Sequence, residues 1–320
     1  MKIFSAVKKQ VFSIGKIGCV GEVTTLNVTR GCAGECVFCY ARCYRGAPEP
    51  GTFVLYNNLP SQLRQELDSP RRKRPLPKFV VLSSYSDAFL GSEAVTQVTR
   101  NCLEILLNRR IGVSFSTRGI VPEEIVSVLG RHPKMVQVHI PITSLSAKYV
   151  ENWEPGTALP KERLFLVQRL LRVGIVPSIR LDPIIPFVTD GTEQIREVVS
   201  AVVGLGLDRA QMSFLHLRPG VAEQLRKEAP MELRRIVLGS FPSERTGSGA
   251  PFDHIPVQQM TSSLRRIQRI AREHGLRISG CHCQNPGLPA GRCPILPEEL
   301  PDQPGLQRSL FDGDNVPESS

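Results

Sequence analysis

Three cysteines fall within one short run, Cys32-Ala33-Gly34-Glu35-Cys36-Val37-Phe38-Cys39, with Arg30-Gly31 before it and Tyr40 after it. Thiolates are the natural ligands of soft metals and of iron–sulfur clusters. Spaced C-x3-C-x2-C on a glycine-containing loop, they can converge on one inorganic cluster. A cubane [4Fe–4S] cluster normally takes four cysteines. Three leave one iron open to an outside ligand, a design for chemistry at the cluster rather than for electron storage alone. A four-cysteine zinc site uses two C-x2-C pairs separated by a longer loop, which this run does not match. Ferredoxin runs have shorter spacings and little further chain, whereas about 280 residues follow here. Cys43, four residues on, is the alternative fourth ligand or a thiol facing the site; packing is its plainer role.

A second group, Cys281-His282-Cys283 and Cys293, sits among Gly280, Asn285-Pro286, Gly291 and Pro294, a loop composition rather than that of a core strand. Three readings stay open: an auxiliary iron–sulfur cluster, a zinc site completed by His282, or free thiols near the mouth of a barrel. Cys19 and Cys102 read as buried small hydrophobes, Cys102 within a helical apolar pattern with Ile105 and Leu106.

The elements that must position these residues alternate between two periods. Strand-like runs cover 24–29, 78–85, 112–117, 135–143, 176–185 and 210–217. Helical runs cover 59–67, 92–108, 122–129, 161–172, 192–203 and 260–274, and a short strand follows at 277–279. Alternating strands and helices imply right-handed βαβ units and a parallel sheet, with a partial or full α/β barrel favoured over an open sheet. The boundaries expected are an N-terminal extension over 1–20, a barrel over 21–259, and a basic helix with the second cysteine group over 260–294. An acidic tail over 295–320, rich in proline, is expected to be disordered.

The 320 residues are 41% hydrophobic and carry a net charge of +10. That apolar fraction excludes wholesale disorder, and no run of 18 apolar residues exists to span a membrane. A start broken by Lys2, Lys8 and Lys9 lacks a signal-peptide core, so a cytoplasmic location with reduced thiols is expected. Six acids and only Arg308 among the bases fall in the tail, so the body is more basic than the whole. Arg71-Arg72-Lys73-Arg74 and the helical Arg265, Arg266, Arg269 and Arg272 fit a polyanionic partner such as nucleic acid, held by charge and shape. A solvated basic helix is the alternative. Gln307-Arg308-Ser309-Leu310-Phe311 is similar to the Q-x-x-L-F peptide with which bacterial repair proteins dock on the sliding clamp, through Gln307, Leu310 and Phe311.

The cysteine run, with Phe38 before its last cysteine and Tyr40 after it, resembles the signature of the radical S-adenosylmethionine (SAM) superfamily. The longer string Thr29 to Ala41 is similar to that of the spore photoproduct lyase-like (DNA repair photolyase-like) branch. The likeness continues through Glu154-Pro155-Gly156, Pro160-x-x-Arg163-Leu164 and Arg180-Leu181-Asp182-Pro183-Ile184-Ile185-Pro186, and covers roughly residues 20–220. It implies a partial (β/α)6 barrel whose Cys32, Cys36 and Cys39 hold a [4Fe–4S] cluster, with SAM on the fourth iron. One electron, from a donor such as flavodoxin or ferredoxin, would split the sulfonium into methionine and a 5′-deoxyadenosyl radical. That radical would take a substrate hydrogen, in a lyase- or transferase-like reaction on DNA or another nucleic acid. A protein, peptide or small metabolite is the alternative substrate. A zinc-binding nucleic-acid adaptor without catalysis is the alternative of another class. Phe38 and Tyr40 would flank the cofactor. The strand ends would supply Ser84, Asp87, Ser116, His139, Arg180 and Asp182, with Asp87 on the SAM ammonium and Arg180 on its carboxylate. Ser83 to Asp87 lack the Gly-Gly-Glu stretch that the superfamily often has there.

Overall fold

The structure, a computed structural model, describes residues 2–17, 20–71, 75–242, 253–282 and 284–288. The N-terminal half runs β1 (Lys2–Ser5), β2 (Ser13–Ile17), β3 (Gly21–Leu26), β4 (Thr29–Arg30), β5 (Thr52–Leu55), α1 (Leu59–Asp68), β6 (Phe79–Leu82), α2 (Glu93–Asn108), β7 (Gly112–Ser116) and α3 (Glu123–Gly130). It continues with β8 (Val136–Pro141), α4 (Ala147–Trp153), α5 (Pro160–Arg172), β9 (Ser178–Ile184), α6 (Thr192–Gly204) and β10 (Arg209–Phe214). The last elements are β11 (His216–Leu217), α7 (Val221–Glu228), α8 (Met231–Gly239), β12 (Asp253–His254), α9 (Val257–Glu273) and β13 (Arg277–Gly280).

Eight strands form the main sheet in the order β13-β10-β9-β8-β7-β6-β3-β2. All are parallel except β2, which joins β3 antiparallel at one edge. β3, β6, β7, β8, β9 and β10 each lead to a helix that packs back on the sheet, six βα units as the alternation predicts. The edge strands β2 and β13 are not paired with each other, so the sheet is an open, partial barrel. A small side sheet, β1-β5-β4, and the two-residue ladder of β11 with β12 complete the fold. The N-terminal residues are thus tied to the body twice, through β2 to the main sheet and through β1 to β5. Among the described residues no helix is long and apolar enough to cross a membrane.

The two faces of the sheet differ in chemistry. Val113, Phe115, Val138, Ile140, Ile179, Leu181, Ala210 and Met212 lie on the helix-covered face, buried in one apolar core. Strand alternation puts their neighbours on the opposite face. There the registers align Ser114 with Gln137, and Arg180 with Gln211. The half barrel thus has an apolar exterior under its helices and a polar interior.

Several expectations shift at their edges. The strand expected at 24–29 ends at Leu26, and Thr29-Arg30 leave to pair with β5. The strand expected at 78–85 stops at Leu82 because Ser83 adopts a left-handed conformation, φ 53°, and turns the chain. α4, α7 and α8 do not stand out in the sequence, being short and strongly charged. The acidic tail and its clamp-like Gln307, Leu310 and Phe311 lie outside the described residues, as do Arg72 to Arg74, Cys19, Cys283 and Cys293.

Candidate functional site

The cysteine run occupies the long connection after β3, at the C-terminal mouth of the barrel, where α/β barrels carry their sites. Gly34 N–H donates to Cys32 Sγ at 3.4 Å. Cys36 is buried; Cys32 and Cys39 are partly buried. Burial pushes the Cys32 thiol up to about 12, helped by the neighbouring Asp87 carboxylate. Burial raises Cys36 as well, and Glu154 and the other two thiols add to it against the opposing pull of Arg118. Thiols so placed ionise only when a cation compensates them, which metal binding supplies.

Three separate segments hold this loop. From the turn after α4, Pro155 O accepts Glu35 N–H at 2.9 Å, and Trp153 O accepts Val37 N–H at 3.0 Å. Gly156 belongs to the same turn with φ 78°, and a Cβ there would meet Ala33 O at 2.7 Å. Beneath it, Glu154 is fully buried between Arg118 at 3.0 Å and Arg163 at 2.5 Å. Burial alone would raise its carboxyl, but the two guanidinium groups hold it below the usual carboxylate range. From the far side of the barrel comes α7. Gln224 Nε2 donates towards the carbonyls of Val37 at 2.8 Å, Cys39 at 3.3 Å and Cys36 at 3.4 Å. Arg42, from the cysteine loop, forms a bidentate pair with Glu228 at 2.7 Å. Cys43 is packed into this contact, its thiol 3.7 Å from Gln224 Oε1 and its side chain tight against Gly220.

The other expected residues divide into three groups. Phe38 is buried with the Arg118 guanidinium 5.4 Å from its ring centroid, and Tyr40 stacks under Arg218 at 4.6 Å. Ser116 is exposed at the end of β7, and half-buried Ser84 donates to Asn27 Oδ1 at 3.5 Å. His139 is buried inside the barrel, and burial together with Arg180 lowers it to about 3, so it is neutral at physiological pH. Its Nε2 lies 3.4 Å from Ser114 Oγ, while Nδ1 has no partner among the described residues, and neither has the buried Thr143 hydroxyl. Buried polar atoms are normally satisfied. These two mark where the polar groups of a bound molecule fit.

Two further expected residues have partners within the chain. Asp87 accepts from Phe89 N–H at 2.9 Å, Arg118 N–H at 2.7 Å and the Thr117 hydroxyl at 2.8 Å. With both oxygens engaged it ties the β6 and β7 loops together. Burial raises its carboxyl in spite of these bonds. Arg180 pairs with Asp182 at 3.1 Å and donates to Gln211 at 3.1 Å and Gln284 at 3.4 Å. Burial would raise the Asp182 carboxyl, but Arg180, the Ser213 hydroxyl and Arg118 hold it down.

Of the second cysteine group, Cys281 is buried just past β13, and Cys283 and Cys293 lie outside the described residues. The adjoining turn is fastened to the mouth by Asn285, which accepts Phe214 N–H at 2.9 Å and donates to Phe214 O at 3.4 Å. His282 Nδ1 lies 2.8 Å from Leu288 O. Cys102 is fully buried in the core, as its helical pattern predicts. Gln224, Arg118 and Arg42 escaped the sequence reading. Glutamine and arginine carry no signature spacing, and the partners of Gln224 lie more than 180 residues away.

Among the described residues no three His, Cys, Asp or Glu side chains stand close enough to hold a single metal ion. Thiolates on different irons of a cubane stand further apart than the ligands of one ion. Three thiols on one pinned loop are the donor set of a cluster with one open iron. The polar interior and its unpartnered His139 and Thr143 fit a polar cofactor beside it.

Known proteins agree with this geometry. The sequence pattern of the radical SAM superfamily matches residues 26–201. Uncharacterized protein Rv2578c of Mycobacterium tuberculosis is 25% identical over 204 residues, covering 61% of this chain and 59% of that protein. The radical SAM Nalpha-GlyT isomerase of Pseudomonas phage M6 is 23% identical over 266 residues, covering 81% of this chain and 53% of the isomerase. The chain thus spans less than two thirds of the length of these relatives. Among solved structures, a spore photoproduct lyase variant with bound AdoMet and dinucleoside spore photoproduct superposes with a TM-score of 0.64 at 14% identity, over 86% of this chain and 81% of that one. The superfamily uses a [4Fe–4S] cluster and SAM, the two groups that the thiols and the polar interior fit. With more than half its length matched and the half barrel shared, this chain belongs to the radical SAM superfamily.

Proposed function

We propose that this chain is a radical SAM enzyme acting on nucleic acid, with its [4Fe–4S] cluster held by Cys32, Cys36 and Cys39. The observation that carries the reading is the pinning of all three thiols on one loop at the mouth of a polar half barrel. Cys32, Cys36 and Cys39 would hold the cluster, which would supply the electron for reductive cleavage of SAM and so the means to take a hydrogen from the substrate. The chain's own residues orient and exclude water. Phe38 and Arg118 form one wall, and neutral His139 and the Thr143 hydroxyl offer hydrogen bonds inside. The basic body supports a nucleic-acid substrate. So does the dinucleoside spore photoproduct bound by the spore photoproduct lyase, whose fold is similar.

Anaerobic reconstitution with iron and sulfide, followed by SAM and dithionite, should yield 5′-deoxyadenosine. A Cys36→Ala variant should retain little iron and yield none. No 5′-deoxyadenosine from a fully loaded wild-type cluster would overturn the enzyme reading. Affinity for DNA that is weak and indifferent to salt would move the substrate to a protein, peptide or small metabolite.

A further inference from the structure

Five aromatic and imidazole rings form an unbroken row across the barrel mouth. Tyr85 meets Tyr44 at 5.4 Å, Tyr44 meets Tyr40 at 5.6 Å, Tyr40 meets His216 at 6.3 Å, and His216 meets His254 at 6.2 Å. The row crosses from the end of β6, through the loop after β3, to the segment after β10, so it bridges strands near opposite edges of the sheet. Its middle ring, Tyr40, follows Cys39 directly, and its inner end, His254, is buried. Its outer end is open: Tyr44 is 38% and Tyr85 46% exposed.

The outer rings stand on fixed backbone. Tyr85 sits in the turn opened by left-handed Ser83, and its N–H donates to Asn27 Oδ1 at 3.4 Å. The Tyr44 hydroxyl accepts from Arg218 at 3.2 Å, and exposed Arg45 follows it directly. Rigid tyrosines in solvent, interleaved with arginines, recur where single-stranded nucleic acid binds, because every base offers a face to stack on and every linkage a phosphate. A protein-binding hot spot centres instead on a desolvated pocket, and these two rings stand well in solvent.

We infer that Tyr44 and Tyr85 form a stacking platform for the base next to the reacting nucleotide, with Arg45 on the adjoining phosphate. The inference rests on the nucleic-acid reading above and adds a place and a polarity to it. The flanking base lies over the β3–β6 side of the mouth, and the target enters along the ring row towards Tyr40.

The test is fluorescence anisotropy of a labelled 12-nucleotide oligodeoxythymidylate and of its abasic counterpart, against the anaerobically reconstituted full chain. Tyr44→Ala and Tyr85→Ala should each weaken oligothymidylate binding about tenfold. Tyr44→Phe, which keeps the ring, should bind within about twofold of wild type. Abasic strand should bind the wild type about as weakly as oligothymidylate binds the alanine variants. Iron content and far-UV circular dichroism matching wild type certify the variants. The platform is overturned if wild type binds both strands equally, a result that needs no variant, or if folded alanine variants bind oligothymidylate as wild type does. Wild type that binds no oligonucleotide at all overturns the nucleic-acid reading itself.

Discussion

At the scale of single residues, two side chains outside the cysteine run bear most on it. The Gln224 amide donates to the Val37 carbonyl of the thiol-bearing loop at 2.8 Å and lies within 3.4 Å of those of Cys39 and Cys36. Gln224→Leu keeps the bulk and removes the donor of the Val37 carbonyl, which should cost about 1–3 kcal/mol. The unfolding midpoint in urea and the iron retained per chain should both fall. A variant that holds iron as wild type does would reduce Gln224 to packing. Glu154 serves the same loop electrostatically, from beneath. Because its folded pKa lies below the usual value of 4.5, its contribution is complete above that value and is lost as pH falls through the folded one. Glu154→Gln leaves Arg163 buried and short of its charged partner, which should cost about 3–5 kcal/mol near neutral pH. Urea denaturation from pH 7 to 3 should show the gap between wild type and variant closing below about 4.5. Asp87, whose carboxyl is raised, contributes in the opposite sense, but equally in both proteins.

At the scale of elements, the Glu154-Pro155-Gly156 turn is a cradle for the cysteine loop. Its conformation needs glycine at 156, both for the positive φ and for the approach of Ala33 O. Gly156→Ala should therefore push the loop outward, lower the thermal midpoint by several degrees and reduce iron loading at unchanged cysteine count. Normal loading would show that the turn is passive. α9 illustrates a different separation. Its arginines at 265, 269 and 272 are exposed along one face, while Arg266 reaches Asp190 and Thr192. The helix ends beside Arg277 and Arg209, at the starts of β13 and β10 and so at the end of the barrel away from the cysteines. Replacing Arg265, Arg269 and Arg272 by alanine should thus change the salt slope of single-strand binding little. Arg45→Ala, at the mouth, should reduce that slope by about 0.7. The reverse ranking would place the nucleic acid on α9.

At the scale of the whole molecule, the half barrel brings Cys281 to the mouth that carries the first cysteine group, since Cys281 follows β13 as that group follows β3. An anaerobic iron count on wild type and on Cys281→Ala/Cys283→Ala decides what that proximity means. About eight irons falling to about four assigns an auxiliary cluster, and about four in both leaves these thiols without one. The sequence by itself determined the chemistry and the class of fold. Cys32, Cys36 and Cys39 are neighbours in the chain, and alternating periods are local, so short windows reveal both. Helix and strand bounds were legible to within a few residues wherever amphipathic patterns were strong, as in α2, α5 and α6. Only the tertiary structure decided what surrounds the thiols. The clamp of Gln224, the bridge of Glu154 to Arg118 and Arg163, and the ring row from Tyr85 to His254 join segments far apart in the chain. The same holds for Asp87 and Arg180, each of which the folded chain surrounds with partners that a sequence cannot place. Ligand type follows from residue identity; availability follows from who else is nearby, and that is settled only when the sheet has curled.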